Sequence, residues 1–214
     1  MKKSFFIAVT SIILLSPFPL VFAEDLKTAQ IKNFNIYFKE DITAEELGTL
    51  KEILESSYED MLKCLGDIVP KSVDVVIFGS CGDFTYHTKL PWWSASAMVD
   101  GAIYLQPILV LKERGILTNV VRHEVALVFI HHKWGEKAPL WFAEGLAVYY
   151  SDEIEILKGE IVGERPKIEG VEDIDSLLGD RDDRTKNRWG YILACEEVEK
   201  MMERDDWESL FLNP

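Results

Sequence analysis

Residues 116–150 constrain this chain more than any other stretch. They read as two apolar helices in tandem, Ile116 to about Lys133 and Pro139 to about Tyr150. Gly135 stops the first, and Pro139 suits the opening of the second. Helices this apolar have to be covered by other elements. Yet both contain ionisable residues that a core would not choose. The first reads Arg122-His123-Glu124-Val125-Ala126-Leu127, and the second Pro139-Leu140-Trp141-Phe142-Ala143-Glu144-Gly145-Leu146-Ala147.

The sequence before them supplies a small sheet. Asn33 to Lys39 alternates apolar and polar residues, and Ser72 to Phe78 is a β-branched run, so both are expected as strands. Between them, Thr43 and Glu46 form a capping box, and Leu47, Leu50, Ile53, Leu54, Tyr58, Met61, Leu62 and Leu65 keep a helical period. This predicts a helix of about six turns covering one sheet face. Residues 79–101 read as a long loop in which Trp92 and Trp93 either line a cleft or pack over the sheet, with packing the preferred reading. Ala102 to Leu105 is a third short strand, and Pro107 opens a helix. After Tyr150 the chain is acidic and weakly patterned, a solvated surface with one short helix near Asp175. An amphipathic helix then runs from Asn187 to about Glu203. A small mixed sheet with a covering helix, a central helix pair and a helical C-terminal part make an α+β fold.

The termini and the charge narrow the setting. Lys2 and Lys3, the apolar run Phe5 to Leu15 and Val21-Phe22-Ala23 have the three-part layout of a signal peptide, residues 1–23. Pro17 and Pro19 interrupt the run, and its unbroken part is short for a bilayer span. The mature chain is expected to begin at Glu24 as a single domain, secreted or periplasmic, with no membrane association after cleavage. Its 214 residues before cleavage carry 23 Lys and Arg against 37 Asp and Glu, a net charge of -14. Loss of Lys2 and Lys3 makes that about -16. Such acidity excludes a nucleic-acid partner and a polybasic membrane module. Three cysteines are too few for a disulfide scaffold. Cys64 and Cys195 lie on apolar helical stripes and read as small core residues; Cys81 is the most exposed by pattern. Export leaves a Cys64–Cys81 bridge open.

A His-Glu pair on one helix, followed about 20 residues on by Trp-x-x-Glu-Gly on the next, is a metallopeptidase layout. In H-E-x-x-H, two histidines lie about 6 Å apart along one helix face and take two corners of a zinc tetrahedron. With DGAIYLQP before the pair, PLWFAEGLAVY after it and Trp189-Gly190-Tyr191-Ile192 near the end, the mature chain resembles the peptidase-MA-like domain of the gluzincins, the thermolysin-related zinc peptidases. The resemblance implies His123 and Glu144 as zinc ligands, Glu124 as general base, and Tyr191 as a phenol that stabilises an oxyanion. Each also has a plain structural reading: His123 and Glu124 as polar residues at the edge of a buried helix with Arg122 as ion-pair partner, Glu144 as a hydrogen-bonding residue within the helix pair, and Tyr191 as a packed aromatic on an amphipathic helix.

The chain departs from the family where the second histidine belongs, because Leu127 stands there. Two protein ligands fall short of the three usual for catalytic zinc. His131 lies about 12 Å along the helix from His123 and cannot share its ion. His131 and His132 read as solvated helix-end residues and His87 as a solvated loop residue, which could reach the site only if its loop folded inward. Three functions remain open, the blandest a structural envelope protein with no small-molecule site. Another is a degenerate peptidase domain without metal, acting as a binding or scaffolding module for a peptide or protein. The third is an active zinc peptidase with an atypical metal site and Glu124 as base.

Overall fold

The computed structural model describes residues 26–38, 42–66, 71–204 and 207. The expected leader 1–23, the mature start Glu24 and the strand end Lys39 lie outside them. Five strands form one mixed sheet in the order β1-β2-β3-β5-β4: Lys27–Ile31 (β1), Phe34–Phe38 (β2), Val73–Ile77 (β3), Ser96–Val99 (β4) and Ala102–Leu105 (β5). The central β2, β3 and β5 are parallel, and an antiparallel hairpin closes each side. The β4–β5 turn is Asp100-Gly101, both at positive φ (52° and 78°), the pairing that two-residue hairpin turns favour.

One sheet face carries the main core. Helix α1 (Ala44–Leu65) begins at the Thr43–Glu46 capping box, as the sequence predicts, and buries Leu50, Leu54, Tyr58, Met61 and Leu65. Tyr58 packs edge-on against Phe34 of β2 and accepts a hydrogen bond from Asn33 at 2.7 Å. The other face carries a feature that the sequence reading treats as loop. Residues 79–101 contain a helix, α2 (Cys81–Thr88), and the strand β4. Ser80 caps α2 by accepting the Asp83 amide at 3.0 Å, and Phe84, fully buried, packs edge-on to Phe78. Trp92 and Trp93 do not seal the sheet: Trp92 is 69% exposed.

The helical half follows. Helices α3 (Ile108–Glu113), α4 (Leu117–Trp134), α5 (Leu140–Ser151), α6 (Ile154–Gly159), α7 (Val171–Leu178) and α8 (Arg184–Met202) occur in that order. A single 3-10 turn, Gly135–Lys137, joins α4 to α5. The fold is α+β. All three cysteines are free. Cys64 is exposed, because it falls on the outer side of α1, and Cys195 is buried. No Cys64–Cys81 bridge exists, and Cys64 rather than Cys81 is the more exposed of the two. Among the described residues no helix is long and apolar enough to cross a membrane.

Candidate functional site

The tandem helices fold back on one another and bring their ionisable residues together. Nε2 of His123 on α4 lies 3.1 Å from Oε2 of Glu144 on α5. Nδ1 of the same ring lies 2.9 Å from Oε2 of Glu153. The sequence places the first pair but misses Glu153, which sits in the stretch read as solvated surface. Its position follows from how the end of α5 is held. Asp152 adopts a left-handed conformation (φ 57°) and turns the chain out of the helix. On α4, Asn119 donates to the Ser151 carbonyl at 2.8 Å and Arg122 pairs with Asp152 at 2.7 Å. Asn119, Arg122 and His123 lie on one side of α4, so the 151–153 turn is fastened along the helix and Glu153 arrives at the imidazole. Arg122 is thus the partner of Asp152.

The cluster is nearly closed to water. The side chains of His123, Glu144 and Glu153 are 9%, 18% and 16% exposed. Burial opposes charge on His123, but the charges of Glu153 and Glu144 and their hydrogen bonds outweigh it and raise its pKa well above the usual value. Glu124, buried beside it, accepts a hydrogen bond from Ser96 Oγ on β4 at 2.5 Å; among the described residues its other oxygen has no partner. Burial pushes its pKa up to about 7, against the lowering effect of His123 and Ser96. Tyr191 on α8 presents its ring edge-on to His123, with centroids 6.1 Å apart. The charge of Glu144, then burial, raises its phenol well above the usual tyrosine range. Tyr191 also packs against Ile192, Leu193 and their neighbours, as the packed aromatic that the sequence allows.

Leu127 stands one turn beyond His123, buried in the main core. His131 and His132 are exposed at the end of α4, as expected. His87 is not a loop residue; it belongs to α2 and stacks on Phe78 at 5.7 Å.

This donor set does not fit catalytic zinc. Among the described residues, only the carboxylate of Glu144 faces Nε2 of His123. Glu153 lies on the opposite ring nitrogen and cannot also face an ion held at Nε2. Glu124 is turned to Ser96, and Leu127 donates nothing. Among the described residues no group of three or more His, Cys, Asp or Glu side chains is arranged to hold a metal ion. No protein-family model matches the chain, and no curated protein matches its sequence.

Proposed function

We propose that the chain is an exported, gluzincin-like domain that binds a peptide or protein without hydrolysing it. The observation that carries this reading is the double clamp on His123. Glu144 and Glu153 occupy both ring nitrogens, and Leu127 fills the position of a third zinc ligand. A protonated imidazole then supplies the positive charge that the two carboxylates need, and the helix pair is held together by hydrogen bonds between its own residues. The order of the elements supports descent from the gluzincin plan: an edge hairpin whose β4 touches Glu124, then the His-Glu helix, then the Glu helix, then a helix bearing Tyr191.

A second reading, the active peptidase, is favoured by one observation. Among the described residues Glu124 has a buried oxygen without a partner, and burial pushes its pKa up to about 7, which suits a general base at neutral pH.

Two variants compared with the wild type separate them. Zinc should leave the melting temperature of the wild type unchanged and raise that of Leu127→His, where the missing donor is restored. At a hundredfold excess of zinc over its Kd, the gain is about 2.7 kcal/mol. Equal and tight zinc binding by both, together with peptide hydrolysis lost in Glu124→Gln, would establish the active enzyme instead.

A further inference from the structure

Cations are the minority in this protein, 23 against 37 acids, yet several collect on one face. A surface cavity of about 400 Å³ lies between residues 89–93 and 181–182, with Lys89, Trp92, Trp93 and Arg181 in its wall and Asp182 as its one acid. Trp92 is 69% exposed and meets Trp93 edge-on, with ring centroids 5.8 Å apart. The guanidinium of Arg184 stands 5.9 Å from the Trp92 ring centroid. Tyr86, also 69% exposed, carries the Lys89 ammonium 4.2 Å above its ring. Among the described residues neither Lys89 nor Arg181 has a carboxylate within ion-pair distance.

Behind the cavity, Arg184 and Arg188 share one oxygen of Glu160. Two guanidiniums on one carboxylate leave positive charge unbalanced. Both buried Nε atoms lack an acceptor among the described residues. Arg188 stands one helical turn from Tyr191, so this basic face adjoins the His123 cluster.

Large exposed aromatics interleaved with arginine are the side chains that anchor protein interfaces. Their positive charge selects an acidic partner. A short acidic segment can meet this face alone, whereas a long phosphate backbone would run on across the acidic remainder of the surface and be repelled there. We propose that the face formed by Lys89, Trp92, Trp93, Arg181 and Arg184 docks an acidic peptide segment of a partner protein, with an apolar side chain seated against the tryptophans and carboxylates on the cations. This rests on reading the chain as a peptide-binding module and places the contact beside the closed His123 cluster rather than within it.

The test uses the purified protein in EDTA and a fluorescein-labelled pentapeptide with phenylalanine flanked by two glutamates on each side, read by anisotropy. It should bind at least about tenfold more tightly than the same peptide with lysines in place of glutamates. Arg181→Glu with Lys89→Glu should weaken it about tenfold or more, as should Trp92→Ala alone, with melting temperatures unchanged because these residues are exposed. Absence of saturable binding up to about 1 mM peptide would overturn the proposal. So would equal binding of oligothymidylate or of a glycine-centred peptide, which marks a general polyanion face. A dimer in sedimentation that Arg181→Glu dissociates would overturn it in favour of a second copy as occupant. The readout needs neither metal nor turnover. Hydrolysis of a peptide would therefore sink the non-catalytic reading and leave this one standing.

Discussion

A histidine with a carboxylate on each ring nitrogen satisfies both contacts only as an imidazolium, because the neutral ring has a single N–H to donate. His123 is in that position, and its charge is set against Glu144 and Glu153 with Glu124 close by. Of the three acids beside the imidazolium, Glu124 is the most buried and is bonded to Ser96 rather than to the ring, so burial favours a proton there. A rise of its pKa from 4.5 to about 7 corresponds to about 3 kcal/mol between the two protonation states. Between pH 4.5 and about 7 the folded chain holds a proton on Glu124 that the unfolded chain has released, so this contribution to stability falls as pH rises. Glu124→Gln keeps an acceptor for Ser96 and cannot ionise. It should be more stable than the wild type at pH 8 by about 1–3 kcal/mol and nearly equal to it at pH 5, as read by urea denaturation. Parallel stability curves for the two proteins would show that Glu124 is not the titrating group. At this scale the sequence made His123, Glu124 and Glu144 legible, because polar residues stand out on an apolar helix. Glu153 was hidden among many acids, and what singles it out is a left-handed Asp152 and two contacts from α4, which no periodicity records.

At the scale of elements, α5 is positioned as much by α8 as by its neighbour in sequence. A Cβ added at Gly145 would lie 2.4 Å from the Ala194 carbonyl oxygen of α8 and 2.9 Å from a Val198 methyl. The glycine beside Glu144 therefore serves the close approach of two helix backbones, which sets the distance from Tyr191 to the cluster. The N-terminus of α5 is also anchored: the Trp141 amide donates to Asp175 of α7 at 2.7 Å. Gly145→Ala should destabilise the protein by about 1–3 kcal/mol, because backbone rather than a flexible side chain opposes the methyl group. It should also change the near-ultraviolet signal of the tyrosines, whereas Gly48→Ala, with nothing within 4 Å, should not destabilise it. Calorimetry that found both variants as stable as the wild type would contradict the packing described. The long elements α1, α4 and α5 were readable because each carries several turns of regular pattern or a clear stop. The short ones were not. The outer strand β1 is largely exposed, α2 rests on one Ser80 cap and one buried Phe84, and α6 has six residues. The Asp100-Gly101 turn stands in the sequence, but the four-residue strands beside it are too short to mark it off from a loop.

For the whole molecule, two sources of pH dependence act together and salt separates them. The net charge of -14 makes the folded chain repel itself, a force spread over the surface and screened within about 3 Å at 1 M salt. The clamp at His123 is buried and largely beyond such screening. Its pKa is raised in the fold, so the stability it contributes is fully present below the unfolded value of 6.5 and is lost as pH rises through the higher folded value. Glu124 adds a decline over the range from 4.5 to about 7. Both buried groups therefore tilt stability toward mild acid, whereas most exposed carboxylates have finished ionising by pH 6. The melting temperature should be highest on the acid side of neutrality and fall steadily toward pH 9. Salt at 1 M should raise the whole curve while leaving its slope above pH 7 nearly intact, because that slope belongs to His123. A profile that stayed flat between pH 6 and 9 in high salt would mean that His123 is not held as an imidazolium. The proposal that the double carboxylate clamp stands in for a metal would then fail.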